Sequence, residues 1–100
     1  MFARIATFEG SPDEIRAMAE GINEQSGDGP PEGVDAKEFL LLEAREGGRL
    51  SMITLFETEE ALLQGDAVLN GMSPPEDLSV RRIDAGLYRV AARMSSSGVA

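Results

Sequence analysis

The stretch LSMITLFETEEAL, Leu50 to Leu62, decides the fold. Its first half reads as a strand. Successive strand residues point to opposite faces, so Leu50, Met52 and Phe56 share one side and Ile53 and Leu55 the other. Both sides are apolar, whereas a sheet with one wet face alternates apolar with polar. The period changes at Glu57-Thr58-Glu59-Glu60. Thr58 suits an N-cap, and Glu59 and Glu60 complement the dipole of a helix running to about Asn70.

Working upstream, Lys37 to Arg45 reads as a second apolar strand, with Phe39 and Leu41 opposing Leu40 and Leu42. Glu46-Gly47-Gly48 is a tight turn with glycine for positive φ, so the two strands pair as an antiparallel hairpin. Ser26 to Ala36 (SGDGPPEGVDA) is a loop, long enough to serve as a lid. Ahead of it, Ser11, Pro12 and Glu14 form the start of a helix, with Ser11 as N-cap and Glu14 closing a capping box. Ile15, Met18, Ala19 and Ile22 make its apolar stripe, and it ends near Gln25 with Gly27 as the stop. Phe2 to Phe8 is the first strand, with Phe2, Ala6 and Phe8 on one face and Ala3 and Ile5 on the other.

Downstream, Ala61, Gly65, Val68 and Met72 mark one face of the second helix, flanked by Leu62 and Leu69. Gly65 costs about 1 kcal/mol against alanine there. It implies close packing on the sheet, a break near Gln64-Gly65-Asp66, or approach of a ligand. Asn70-Gly71 and Pro74-Pro75 end the helix. Leu78 to Ala92 holds the last strand, with an interruption or bulge expected near Ala85-Gly86. Residues 1–93 then form one domain and Met94 to Ala100 a flexible tail.

The order β-α-β-β-α-β predicts an α+β ferredoxin-like fold. Right-handed crossovers place both helices on one face of a four-stranded antiparallel sheet. The other face would present an apolar patch larger than monomers usually expose. At ~25 cal/mol per Å² its exposure favours association. A two-fold homodimer through the sheet faces uses one patch twice. The alternative is cover by the tail or by the long loop.

Composition narrows the function classes. The 100 residues carry a net charge of −9, which argues against nucleic-acid binding and against an anionic membrane surface. No segment approaches the ~20 apolar residues of a membrane span. Met1-Phe2-Ala3-Arg4 enters a strand pattern at once, without a signal-peptide core, which points to a cytoplasmic location. There is no cysteine, histidine or tryptophan. Thiolate metal sites, the commonest general base and any Ser-His-Asp arrangement are thereby absent. The acids match no metal motif, and no cofactor is predicted. Glu43, Glu57, Glu59, Glu60 and Asp66 read as solvated or dipole-matching carboxylates. Arg4 and Tyr88, the only tyrosine, are the catalytic candidates: on neighbouring strands, guanidinium and phenol could together polarise a phenol or carbonyl group. The structural alternative is that Tyr88 packs and Arg4 pairs with a carboxylate. Arg81, Arg82, Arg89 and Arg93 cluster towards the C-terminus, where they offset acidic surface or form ion pairs between subunits.

The segments MFARIATFEGSPDEI, EFLLLEAREGGRLSMITLFETEEAL and LYRVA resemble the dimeric α/β-barrel proteins of the antibiotic biosynthesis monooxygenase (ABM) type, over nearly the whole ordered chain. Such proteins are common in actinobacteria, and eight arginines against one lysine fit a GC-rich source. The resemblance implies two sheets closing a barrel between subunits and a pocket between sheet and helices. It implies either cofactor-independent oxygenation of aromatic polyketides, haem degradation, or no catalysis. The family's first-strand asparagine falls near Ala3 and its second-helix tryptophan near Gly65. With those groups replaced, the expectation is a non-catalytic homodimer, structural or binding a small apolar or aromatic ligand. The alternative is a cofactor-independent monooxygenase acting on an aromatic, polyketide-like substrate.

Overall fold

The hairpin read from Leu50 to Leu62 and its upstream neighbour sits at one side of a four-stranded sheet. The computed structural model describes residues 1–25, 27, 29–72 and 79–94. Its elements are β1 (Phe2–Glu9), α1 (Pro12–Gln25), β2 (Glu38–Glu43), β3 (Arg49–Phe56), α2 (Glu59–Asn70) and β4 (Arg81–Arg89). The sheet order is β2-β3-β1-β4 and every pairing is antiparallel. This is the ferredoxin-like α+β arrangement, with both helices on one face.

Local chemistry sets the element ends. Gly47 and Gly48 take φ of 81° and 82° in the β2–β3 turn, the left-handed region that glycine enters without Cβ strain. At the head of α1 the Ser11 hydroxyl accepts from the Glu14 amide at 3.2 Å and donates to the Glu14 carboxylate at 2.9 Å. At the head of α2 the Thr58 hydroxyl accepts from the Ala61 amide at 3.1 Å. α2 then runs unbroken through Gly65, so of the readings of that glycine the helix break does not occur. Gly65 instead lets the helix lie on the sheet: a Cβ at that position would stand 2.6 Å from Cε1 of the fully buried Phe56.

The helix-side face of the sheet is built in ranks across the strands. Phe2 faces Phe56; Arg4 faces Thr54, which faces Phe39; Ala6 faces Met52, which faces Leu41; Phe8 faces Leu50. The core divides along these ranks. Ala6, Phe8 and Leu50 join Ile15 and Met18 of α1 and Val80 in one cluster. Phe56 joins Leu62 of α2 and Val34 of the long loop in another. The polar rank of Arg4 and Thr54 lies between the two.

The other face carries Leu40, Ile53, Ile5 and Gly86 in its middle rank. Leu42, Ser51, Thr7 and Asp84 form the rank on one side, and Glu38, Leu55, Ala3 and Tyr88 that on the other. Leu40 and Leu42 are exposed, and Ile5, Ile53 and Leu55 are partly so. Val34 is buried in the helix-side cluster, so the long loop lies on the side away from this face.

Two expectations are corrected, while the last strand, Arg81–Arg89, lies within the Leu78 to Ala92 stretch expected to hold it. Its bulge is at Ile83, since Thr7 faces Asp84 while Phe8 faces Arg82. Gly86 serves another purpose: the Tyr88 ring lies over it, and a Cβ there would come within 2.7 Å of the phenol oxygen. Met72, expected on the packed stripe of α2, lies past the helix end and is exposed. The Pro74-Pro75 stop and the tail beyond Met94 lie outside the described residues.

Candidate functional site

A cation on the buried parity of a strand needs a partner, because an ion removed from water is costly unless paired and hydrogen-bonded. Arg4 is in phase with Phe2, Ala6 and Phe8 and is only 2% exposed. Its partners come from α2. Arg4 Nε donates to Asp66 Oδ1 at 2.8 Å, and Arg4 Nη2 donates to Asn70 Oδ1 at 3.0 Å. Asn70 Nδ2 in turn donates to Asp66 Oδ2 at 3.2 Å. Asp66 and Asn70 are four residues apart, which places both on one helix face. The result is a closed ring of three side chains in which the buried charge has a counter-ion and a neutral orienting amide.

Arg4, the one member of this ring that reaches it, lines a cavity of about 690 Å³ between the sheet and the helices. Arg4, Thr54 and Phe39, the rank that splits the core, all line it. Apolar walls come from Phe8, Met18, Ile22, Val34, Met52 and Leu69. Exposed Gln25, Pro30, Lys37 and Arg82 are on its solvent side. The volume falls within the ~300–1,000 Å³ typical of small-molecule sites, and a mostly apolar wall with few polar groups is their usual lining.

Thr54 is the second polar group at depth. It is 3% exposed and lines the cavity. Among the described residues no side-chain N or O atom fully removed from solvent is left without a hydrogen-bond partner. Two of the five guanidinium N–H groups of Arg4 are engaged by Asp66 and Asn70. Arg4 and Thr54 thus present hydrogen-bonding capacity side by side at the base of an apolar cavity.

The structure separates the two predicted site residues. Arg4 is in register with Leu87, whereas Tyr88 is in register with Ala3. Tyr88 therefore lies on the opposite face of the sheet, half-exposed over Gly86, and cannot act with Arg4 on one molecule. The alternation of β4 and the offset of its register decide this, and neither is visible without the pairing. Of the acids, Glu43 pairs with Arg16 at 3.3 Å and Glu57 with Lys37 at 3.7 Å, both at the surface. Only Asp66 turns inward. The readable signal was its spacing to Asn70 beside the apolar stripe of α2, together with an arginine on a buried strand parity. Among the described residues no three histidine, cysteine, aspartate or glutamate side chains are grouped as a metal site requires, and no helix is long and apolar enough to cross a membrane.

The pKa of Glu14 is held below its ordinary value, first by the Ser79 backbone amide and then by the Ser11 hydroxyl. It is an exposed structural clamp between the head of α1 and the approach to β4, away from the cavity.

No family model matches the chain, and no curated protein matches it. Among solved structures, a candidate antibiotic biosynthesis monooxygenase from Deinococcus radiodurans superposes with a TM-score of 0.63 at 11% identity, covering 95% of this chain and 97% of that one. The agreement extends over the whole architecture rather than one motif, and at this identity it establishes the fold: a ferredoxin-like α+β arrangement shared with that structure.

Proposed function

We propose that the protein is a small-ligand-binding homodimer that performs no catalysis of its own. The observation that carries the reading is the apolar cavity with Arg4 in its wall, held from behind by Asp66 and Asn70. An arginine stays protonated throughout the physiological range, so it recognises an acceptor but does not shuttle protons. The chain has no histidine, and Tyr88 is on the far face of the sheet.

The dimer half of the reading rests on the helix-free face. Its middle rank is wholly apolar, and its three carboxylates lie off that rank: Glu38 and Asp84 at opposite corners, and Glu9 at one end between Arg49 and Arg81. An apolar centre with charge confined to the rim is the anatomy of a protein interface. A second copy is the occupant, because a two-fold contact meets each apolar rank with an equivalent one. Native mass spectrometry of the purified protein tests both halves together. The expected species is about twice the 10.7 kDa chain mass, with one small molecule captured per subunit. A monomer at micromolar concentration would remove the dimer.

The fold likeness favours one second reading, a cofactor-independent monooxygenase acting on an aromatic, polyketide-like substrate. Fold alone is a weak warrant for activity. Oxygen uptake with an anthrone-like substrate decides: turnover that disappears in Arg4→Ala would replace the binding reading with this one.

A further inference from the structure

A binding cavity is also defined by what it refuses. From the charge balance at its base, we infer that Asp66 is a selectivity device: it reserves the Arg4–Thr54 base for a neutral acceptor oxygen, a ketone, aldehyde or hydroxyl on an apolar body, and turns away carboxylates. The inference rests on the cavity being a ligand site.

The argument runs through Asp66, which does not line the cavity but stands behind Arg4. Arg4 Nε and Asp66 Oδ1 are 2.8 Å apart, so the cation is already neutralised from the helix side. A ligand carboxylate reaching the guanidinium from the cavity side would form a buried cluster of two anions and one cation. It would give up its hydration for an attraction that Asp66 has largely cancelled, and desolvation commonly outweighs such gains. A neutral carbonyl has far less hydration to lose. It recovers that loss through hydrogen bonds from groups at the base. Thr54 fits the same class, since a hydroxyl supplies one donor without charge, and it stands directly across the strand pair from Arg4. The apolar walls above the base require a hydrophobic body.

The charged groups on the solvent side do not change this conclusion. Lys37 pairs with Glu57 at 3.7 Å, and both are mostly exposed. Arg82 is exposed as well, and exposed cations are screened by salt and worth little. An anion held there would sit at the mouth and would be released as ionic strength rises.

Asn70 keeps the device rigid. It is bonded to both members of the pair, so the guanidinium is fixed in orientation by two acceptors rather than one. Replacing Asp66 by asparagine retains an oxygen acceptor of the same size and removes only the charge.

The test uses three probes of equal bulk, 2-isopropylnaphthalene, 2-acetylnaphthalene and 2-naphthoate, titrated calorimetrically at moderate salt against wild type and Asp66→Asn. Wild type is expected to bind the ketone about ten-fold tighter than the hydrocarbon, and the carboxylate at least about ten-fold weaker than the ketone. In Asp66→Asn the carboxylate should gain at least about ten-fold on the ketone, because Arg4 is then a cation without its counter-ion. Arg4→Met should shrink the ketone's advantage over the hydrocarbon to the part that Thr54 supplies, with circular dichroism confirming the fold. Equal binding of ketone and carboxylate by wild type, or a ratio unchanged in Asp66→Asn, overturns the selectivity role while leaving the cavity as a ligand site. Failure of all three probes to bind removes the ligand-site reading itself.

Discussion

The two faces of the sheet are apolar in the same alternation, yet they are built for different contacts. The helix-side face contains both buried polar side chains of the described structure, Arg4 and Thr54, one beside the other. The middle rank of the opposite face, Leu40, Ile53, Ile5 and Gly86, contains no polar side chain at all. A polar group under apolar cover has to be compensated, so it is kept where it recognises something. Exposed aliphatic side chains without polar groups among them suit a broad, shape-matched protein contact. In the proposed reading the position of buried polarity, more than the position of apolar residues, assigns one face to a ligand and the other to a second copy.

Ile53→Asp should break the comparison most severely. Ile53 sits in the middle rank and would recur on both sides of a two-fold interface, so the substitution places two carboxylates in one desolvated centre. Dimerisation should weaken by about 3 kcal/mol or more, at least roughly a hundred-fold in dissociation constant. Analytical ultracentrifugation reads this directly. A dimer of unchanged affinity would show that the free face is not the interface.

On the other side the sharpest probe is Gly65→Ala. Alanine gains about 1 kcal/mol in helix propensity. Its Cβ would also fall 2.6 and 2.7 Å from two ring carbons of Phe56, which is fully buried and held among Val34 and Leu62. Overpacking of this kind costs about 1–3 kcal/mol, so a net loss of about 1 kcal/mol is expected in urea unfolding at constant slope. A gain in stability would mean that the ring has room to move, and that the contact does not require glycine.

These two positions also show what was legible in the sequence. The period-2 pattern of Leu50 to Phe56 and the glycines at 47 and 48 carried the hairpin, because both are local signals. Residues sharing each face followed from alternation and agree with the observed register. The site was half legible. Arg4 was visible as a charge in a strand, but its pairing spans 62 residues to Asp66, and no local pattern encodes such a contact. Tyr88 was misplaced because the parity of β4 relative to β1 depends on a register that a single strand does not specify. Gly86 suggested a bulge, yet its small size serves the overlying phenol ring, while the bulge falls at the β-branched Ile83.

The smallest expected effect concerns how the helix-side layer is fastened. Glu14 accepts from the Ser79 amide just ahead of β4 and from the Ser11 hydroxyl at the start of α1. Both donors favour its charged form, so its pKa is lower folded than unfolded. For a carboxylate shifted downward, the folded state binds fewer protons than the unfolded one between the two pKa values. Its contribution is therefore complete above the unfolded value, near 4.5, and is lost as pH falls through the lower folded value. Glu14→Gln keeps an acceptor but removes the charge. Its melting temperature should lie slightly below wild type at pH 7, and the gap should close on acidification through the carboxylate range. A gap that stays constant down to strongly acidic pH would show that the carboxylate charge has no part in holding α1 against the approach to β4.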